Sequence, residues 1–466
     1  MSTKGNSATA EPGPWSPGLE STLPRRFLPL STMFRPDNVT TGIEQAEGLG
    51  DFSGLSSFSL AAFRPERLVV HELLIRVTCD LSVPDGARYE DLGINFRRMT
   101  SRLLDGYVAP RLPEITVAFE TLKRTAAARI RELFRAHLEP AAPAVPDPPP
   151  RSSRGIGAIL RRWRASATQA PPAVRFAHAQ SPQERDLEAL AMWRRQAREA
   201  ITPMDRAVLS AVADTAAAVI RRRGRLVGDV ELLTSIAATL FGNAYGSAFV
   251  GALVDPLFRE GVAAEGYRLL PVQRRAIVMN VKGASASGKS TMRPEQRQLA
   301  SRLGVRWEDF ALISPDIWRK FLLDYDALGE ATRYAGTLTG HELEVIDRKL
   351  DRYMSNKAEQ GRMTHLLIDR FRFDSFAADG DREDGSQLLT RFGHIVYLFF
   401  MITPPEATVE RAWKRGLQFG RFKAVDDLLA HNVEAFTGMP RLYFTWAQSL
   451  RKIVHTEFLD NSVAEG

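Results

Sequence analysis

Residues 276–290 read AIVMNVKGASASGKS, a short apolar run followed by a loop of small residues. The part from Gly283 to Ser290 fits the pattern G-x-x-x-x-G-K-[ST], and Thr291 to Leu303 can form a helix after it. A strand, such a loop and a helix N-terminus direct backbone N–H groups toward phosphate oxygens. The sequence therefore predicts a phosphate-binding loop made of Gly283, Ala284, Ser285, Ala286, Ser287, Gly288, Lys289, Ser290 and Thr291.

The loop also predicts ATP and Mg²⁺ as ligands. Lys289 is expected to reach the β- and γ-phosphates, and the hydroxyl of Ser290 is expected to ligate the metal. A second metal ligand is expected at Asp369, which ends the apolar run THLLID of residues 364–369. The alternative is that Asp369 is a strand-end aspartate whose carboxylate is satisfied within the fold.

Five short apolar runs, separated by helical segments, indicate the fold class of the C-terminal region. Runs rich in β-branched residues that alternate with helices are typical of βαβ units, whose strands are parallel. We predict an α/β fold with a parallel five-stranded sheet flanked by helices, preceded by a mostly α-helical N-terminal region. The predicted strands are AIVMNV (276–281), FALIS (310–314), THLLID (364–369), HIVYLFFMI (394–402) and KIVHTEFL (452–459).

Composition divides the chain into five parts. The first is rich in Gly, Pro, Ser and Thr, and we expect it to be largely disordered because little apolar surface offsets the entropy of ordering. Two helical regions follow, separated by a Pro-rich and basic linker, and the α/β domain comes last. The predicted boundaries are 1–66 for the disordered segment, 67–138 and 181–270 for the helical regions, 139–180 for the linker and 271–466 for the α/β domain.

Residues 232–254 hold no charged side chain over 23 positions, enough for a helix to cross a bilayer. Gly242 and Gly246 have the spacing of a close helix–helix contact. Small residues also let soluble helices pack closely, and Asn243 weakens a membrane span. We expect a buried helix, with membrane contact as the alternative.

Asp316 is the candidate general base. It follows the run FALIS within Ser314-Pro315-Asp316, where a serine N-cap and a proline indicate the start of a helix. Ligands of open α/β sheets bind at the carboxyl ends of the strands, so a carboxylate here can accept a proton from an attacking hydroxyl. The alternative is that Asp316 only complements the helix dipole.

Cations after the fourth predicted strand suit a lid over the phosphates. A helix that begins near Thr403 presents Arg411, Lys414 and Arg415, and Arg421 and Lys423 follow Gly420. Such cations can neutralise a phosphoryl group in transfer and help to exclude water. The alternative is a set of solvated surface charges.

Taken together, these residues resemble the zeta-toxin family of P-loop kinases, which is related to polynucleotide kinase and chloramphenicol phosphotransferase. The resemblance covers residues 271–463 and implies a P-loop kinase-like fold. It implies that Asp316 acts as base and that Arg411 and Arg421 clamp the phosphates. Glu342 in LTGHELEVIDRKL looks like the family glutamate that helps to hold the substrate. Asn461 in Asp-Asn-Ser lies near where the family holds the adenine.

The sequence departs from the family after its third strand. The family usually carries Glu-Gly-Thr there, whereas this chain reads Asp-Arg-Phe from Asp369 to Phe371. The resemblance is therefore consistent with metal ligation but implies a different substrate pocket. Phosphorylation of UDP-N-acetylglucosamine, which is known for some zeta toxins, is one candidate reaction.

Charge and cysteine content narrow the class of protein. The 62 Lys and Arg exceed the 55 Asp and Glu by seven, which permits contact with anions but is far from a dedicated nucleic-acid binder. The single cysteine, Cys79, excludes an internal disulfide framework and a cysteine-built zinc site. Since no apolar leader follows Lys4, we expect a cytoplasmic protein.

The leading functional hypothesis is an ATP-dependent kinase that phosphorylates a hydroxyl of a small molecule, nucleotide or nucleotide-sugar. The alternative within the same chemistry is a 5′-hydroxyl polynucleotide kinase, which the basic residues would serve. The alternative of another class is a membrane-associated or toxin-like effector whose P-loop domain only senses nucleotide. Oligomeric state is not indicated by the sequence.

Overall fold

The chain divides into two compact units. The sheet unit comprises Met1–Ile43, Ala61–Phe119 and Gly246–Gly466, and the helical unit comprises Glu44–Leu60 and Glu120–Tyr245. The predicted boundary at residue 271 differs from this division, because 61–119 and 246–270 fold with the sheet. The computed structural model describes residues 12–88, 90–139, 181–314, 316–369, 389–420, 422–448, 450 and 452–463.

The sheet unit contains five parallel strands, which confirms the predicted α/β fold and parallel five-stranded sheet. Their order across the sheet is β2-β3-β1-β4-β5. All six residues of β1 are buried, as expected for a central strand covered on both faces. The strands are β1 Ile277–Lys282, β2 Phe310–Ile313, β3 His365–Asp369, β4 Ile395–Ile402 and β5 Ile453–Asp460.

The strand order places the start of the glycine-rich loop at a topological switch point. From β1 the chain first builds β2 and β3 on one side of that strand and then β4 and β5 on the other. Ligands of open α/β sheets bind outside the carboxyl ends of the strands at such a point. The parallel register sets Val281 of β1 beside Asp369 of β3, so the loop and this carboxylate lie at the same edge.

Helices from both upstream and downstream of the sheet surround it. Val281 and Phe399 pack with Leu299 on one face, and Leu398 and Phe400 pack with Met439 on the other. The helices of this unit are α2 Pro65–Asp80, α3 Asp91–Leu103, α8 Ser247–Ala264, α9 Arg293–Arg302, α10 Asp316–Leu322, α11 Ala335–Glu359, α12 Pro405–Phe419 and α13 Val425–Ala447. The first turns of α4, Leu112–Leu138, also belong to it.

The helical unit is built around one apolar cluster. Phe134 of α4, Trp193 of α5 and Phe241 of α7 are buried in it, together with alanines and valines of α6. Local sequence signals set the helix ends: Ser181 and Glu184 form a capping box, and Gly224 ends α6 in the left-handed conformation. The remaining helices of this unit are α1 Ile43–Ser53, α5 Pro182–Glu199, α6 Pro203–Arg223 and α7 Val230–Phe241.

Residues 12–66 differ from the expectation of disorder. Part of this segment folds onto the sheet unit, where Phe27 and Leu30 pack with Tyr334 and Leu338. The N–H of Thr32 donates to the carbonyl of Leu338 at 3.0 Å. A few apolar residues spaced along a polar segment are enough to order it when a neighbouring helix supplies the other side of the apolar core. The average composition of the segment does not reveal such a contact. Residues 1–11 lie outside the described part.

The uncharged run 232–254 lies in a continuous helical segment from α7 through a π-helical turn at Gly242–Gly246 into α8. This segment, Val230–Ala264, is long and apolar enough to cross a membrane. Half of its most apolar 18-residue window is buried within the fold. The basic linker from residue 140 to 180 lies outside the described residues.

A buried charged cluster joins α2 to α11. Glu342 is fully buried, and Arg67 donates to its two carboxylate oxygens at 2.5 and 2.8 Å. The imidazole of His71 lies 2.6 Å from Glu342 Oε1 and 2.9 Å from Lys349 Nζ. Burial alone would raise the pKa of Glu342, but Arg67 and His71 hold it well below its usual range. Glu342 is therefore an ionised carboxylate that needs its α2 partners.

Burial also lowers the pKa of His71 to about 3 and that of Lys349 to about 7. A neutral imidazole satisfies both neighbours, since Nε2–H can donate to Glu342 while Nδ1 accepts from Lys349. The cluster thus excludes a proton that the unfolded chain would bind at His71.

We predict that Arg67→Met lowers the free energy of unfolding by about 3–5 kcal/mol, because it leaves the Glu342 carboxylate buried without its guanidinium. The matched control is Arg26→Met, which removes an exposed pair with Glu330 at 3.6 Å and should cost at most about 1 kcal/mol. Urea unfolding of the full chain measures both. Equal losses for the two variants would contradict a structural role for the cluster.

A second prediction concerns pH. Because the folded-state pKa of His71 is lowered, the contribution of this group to stability is fully present above its unfolded pKa of about 6.5 and is lost as pH falls below that value and the unfolded chain becomes protonated. Between pH 6.5 and 5 this group should account for on the order of 2 kcal/mol of lost unfolding free energy. His71→Gln can keep both contacts but cannot titrate, so its unfolding free energy should fall less over this range. A variant with the wild-type pH dependence would show that His71 is protonated in the folded state.

Candidate functional site

The glycine-rich loop lines a cleft of about 1820 Å³ in the sheet unit. Asp316, Asp369, Arg411 and Asn461, all selected from the sequence, line the same cleft. So do the loop residues from Ser285 to Thr291. The described fold thus brings together residues that are up to about 180 positions apart in the sequence, as expected for strand ends that meet at one edge.

The two glycines of the G-x-x-x-x-G-K-[ST] pattern are sterically required. A Cβ on Gly283 would lie 2.6 Å from Ser287 Oγ and 2.8 Å from the carbonyl oxygen of Met401. Gly288 has φ +93°, and a Cβ there would lie 2.4 Å from Asn461 Nδ2. Glycine therefore permits both the left-handed turn and the close approach of β4 and of the residue after β5.

The side chains that directly follow β4 and β5 hold the loop in place. The carbonyl of Ser287 accepts from Thr403 Oγ1 at 2.9 Å and from Asn461 Nδ2 at 2.8 Å. The hydroxyl of Ser287 is buried and has no hydrogen-bond partner among the described residues. Asn461, which the resemblance places near an adenine, supports the glycine-rich loop in this structure.

Lys289 holds the start of the loop. Its ammonium donates to the carbonyls of Gly283 at 3.1 Å and Ala284 at 2.7 Å. Desolvation lowers its pKa, whereas the carboxylates of Asp369 and Asp316 act in the opposite direction. The cation thus lies against the first residues of the loop, within the electrostatic influence of Asp369, the candidate metal ligand, and Asp316, the candidate base.

Behind the loop the helix begins later than expected. Lys289–Met292 form a 3₁₀ turn, and α9 starts at Arg293 instead of Thr291, with Pro294 in its first turn. Proline suits the first helical turn, where an N–H has no intrahelical acceptor.

Ser290 and Asp369, the predicted metal ligands, both line the cleft. Within the described residues there is no group of three or more His, Cys, Asp or Glu side chains that could hold a metal by itself. Mg²⁺ in nucleotide sites is usually held by only one or two protein oxygens, with phosphates and water completing its shell. A hydroxyl and a carboxylate therefore fit a metal that arrives with a nucleotide.

Asp316 is the first residue of α10 and is partly exposed to the cleft. Arg319 donates to its Oδ1 at 3.0 Å and also reaches the carbonyl of Gly336 at 2.6 Å and Thr339 Oγ1 at 2.7 Å. This guanidinium connects the candidate base to α11. Pro315, the residue before Asp316, lies outside the described part of the chain.

The structure describes one of the two arginines that the resemblance implies as phosphate clamps. Arg411 donates to the carbonyls of Asn461 at 3.0 Å and Val463 at 3.2 Å, which ties α12 to the segment after β5. Arg421 lies outside the described residues. Arg411 is therefore anchored in this structure, and its predicted clamping role stays a prediction.

Arg415 and Lys423, which the sequence placed among the candidate lid cations, also line the cleft. The charge of Arg415 lowers the pKa of Lys289. Burial lowers the pKa of Lys423 to about 8, opposed by Asp427 and Asp316.

The wall made by α11 differs from the expected one. Glu342 lies in the buried cluster with α2 and does not line the cleft. The face of α11 that does so carries Gly336, Gly340, Glu344 and Asp347. These positions recur three to four residues apart, as residues on one helix face must. The carboxylates of α11 that line the cleft are thus those of Glu344 and Asp347.

Upstream segments supply a further wall that sequence reasoning missed. Leu19 to Ser21 and Asp85 to Arg88 line the cleft. Asp85 accepts from Arg297 of α9 at 2.8 Å and from the indole N–H of Trp307 at 2.9 Å. No motif marks this loop, because its contacts join positions more than 200 residues apart.

We predict that Lys289→Ala weakens ATP binding roughly 10- to 100-fold, the range expected when a charge-assisted hydrogen bond to phosphate is lost. Isothermal titration calorimetry of the full chain measures the change. Lys320→Ala is the control, since Lys320 lies on α10 beside Tyr325 and does not line the cleft. Wild-type ATP affinity in Lys289→Ala would contradict a phosphate-binding loop.

Comparison with known proteins adds no relative to this description. The chain matches no protein-family model, no curated protein and no solved structure. Assignment of a chemistry to the cleft therefore depends on the geometry of its own residues.

Proposed function

We propose that the cleft is the active site of a P-loop phosphotransferase that moves the γ-phosphoryl group of ATP to a hydroxyl of a small molecule, nucleotide or nucleotide-sugar. The observation that carries the proposal is the common position of three groups in one cleft: the loop with Lys289, Asp369 at the end of β3, and Asp316 at the start of α10. A phosphate cradle, a metal-binding oxygen and a base are the parts that this chemistry requires.

The size of the cleft supports two ligands. Pockets for a single small ligand usually span about 300–1,000 Å³, whereas this cleft has about 1820 Å³. The phosphate-binding loop forms one wall and α11 with the upstream loop at Asp85 forms another. ATP at the first wall leaves room for an acceptor at the second.

In the proposed reaction Asp316 accepts the proton of the acceptor hydroxyl as its oxygen bonds to the γ-phosphorus and the bond to the ADP oxygen breaks. Arg319 orients the Asp316 carboxylate through the 3.0 Å hydrogen bond and holds it against α11. Mg²⁺, held by Ser290, Asp369 and phosphate oxygens, would neutralise charge on the phosphates. Lys289 and Arg415 supply further positive charge.

The charges that line the cleft favour a small acceptor over a polynucleotide. Among the described residues the cleft is lined by ten cationic and eight acidic side chains, a near balance that does not form the continuous basic track expected for a nucleic-acid strand. Glu344 and Asp347 are suited to accept hydrogen bonds from acceptor hydroxyls. The cations are Arg88, Lys289, Arg293, Arg297, Arg319, Arg333, Arg411, Lys414, Arg415 and Lys423.

The direct experiment is to incubate the purified full chain with Mg²⁺ and γ-labelled ATP in a metabolite extract and to identify the labelled product by mass spectrometry. We expect label on a hydroxyl of a small molecule and unlabelled ADP as co-product. Label transferred only to water, or to no product at all, would contradict the proposed kinase.

We predict that Asp316→Asn lowers kcat by on the order of 10² or more and leaves the affinity for Mg-ATP within about twofold, because the amide cannot take the proton. The control is Asp426→Asn. Asp426 also lies in a first helical turn, that of α13, but does not line the cleft. If both variants keep wild-type turnover, Asp316 serves only the helix dipole.

A further inference from the structure

The outer edge of β5 has no strand partner in the described part of the chain. β5 is the last strand of the sheet and pairs only with β4, over eight residues. Its apolar residues Ile453 and Phe458 are 49% and 51% exposed. Long edge strands with apolar side chains and no proline are templates for pairing with another chain.

The sequence of β5 is complementary to itself when it is reversed. If two copies pair antiparallel about Thr456, His455 lies opposite Glu457, Val454 opposite Phe458, and Ile453 opposite Leu459. Directly opposite residues of an antiparallel pair lie on the same face, so each pair is also a side-chain contact. The pair of His455 and Glu457, a hydrogen-bond donor and an acceptor, thus lies next to the axis. The apolar pairs Val454–Phe458 and Ile453–Leu459 lie further from the axis.

Neighbouring registers lack this match. A twofold axis perpendicular to the sheet must lie midway between the two copies of one residue. Only then do opposite residues of the two strands lie on the same face of the sheet. An axis at Glu457 would set His455 against Leu459 and Val454 against Asp460. An axis at His455 would set Ile453 against Glu457. Only the axis at Thr456 pairs polar with polar and apolar with apolar residues.

We propose that β5 is a homodimer interface in which two copies join edge to edge about Thr456 and form a continuous ten-stranded sheet. The occupant of the edge is a second copy of this chain, because the imidazole–carboxylate pairing occurs twice, by symmetry. Such isologous contacts are the commonest route to dimers. The proposal does not depend on the proposed phosphotransfer.

The interface would lie next to the cleft. Asn461 follows β5 directly and donates to the carbonyl of Ser287 in the phosphate-binding loop at 2.8 Å. A partner strand on β5 would restrain the segment that carries this brace.

Cysteine cross-linking at the axis tests the register. Opposite Cα atoms in an antiparallel pair lie about 4.5–5.5 Å apart, within the roughly 4.4–6.8 Å that a disulfide spans. Thr456→Cys in the full chain should therefore form a covalent dimer under mild oxidation. The native Cys79 is buried and does not interfere. The control is Ile201→Cys, whose side chain is 96% exposed on the helical unit and should remain unlinked.

Charge reversal gives a second, independent test by sedimentation velocity. The wild type should sediment as twice the 51.9 kDa chain. His455→Glu places glutamates opposite each other at two symmetric positions and should weaken the dimer roughly tenfold, whereas the swap H455E/E457H restores the pair and should recover affinity to within about threefold. A monomeric wild type, or a dimer that neither cross-links through Cys at 456 nor responds to these changes, would overturn the proposal.

Discussion

The buried carboxylate of Glu342 is the constraint on which much of the sheet unit depends. An ionised group with no exposed surface requires partners, and its partners Arg67 and His71 both come from α2, more than 270 residues upstream. The upstream helix is therefore part of the sheet unit and not a separate module. Through α11 the same contact orients Glu344 and Asp347, which lie on the opposite side of that helix and line the cleft.

Three long-range contacts position the residues that line the cleft. Strand register sets Asp369 beside the end of β1, the turn at Gly288 packs against Asn461, and Arg319 connects Asp316 to α11. Each contact joins distant parts of the chain at the carboxyl edge of the sheet. The proposed phosphotransfer uses this arrangement without large rearrangement, because the cradle and the base already line one volume.

Local patterns predicted the local features well. The strand runs and the glycine-rich loop are properties of a few adjacent residues, and the structure contains each of them. Prediction did less well where a side chain is placed by a distant partner. The sequence suggested that Glu342 lines the cleft. Residues two positions apart on a helix lie on nearly opposite faces, however, and it is Glu344 that lines the cleft. The packing of residues 19–30 could not be inferred either, because its apolar partners lie on α11 and the preceding turn.

The proposed function requires that the loop from Gly283 to Ser290 binds the phosphates of a nucleotide together with Mg²⁺. Calorimetric titration of the full chain with ATP, ADP and AMP, each with and without Mg²⁺, tests it most directly. If the β- and γ-phosphates and the metal provide the binding energy, ATP and ADP should bind far more tightly than AMP, and Mg²⁺ should strengthen the binding of ATP. Equal affinity for AMP and ATP, or no detectable binding of ATP in the presence of Mg²⁺, would contradict nucleotide-phosphate binding by this loop.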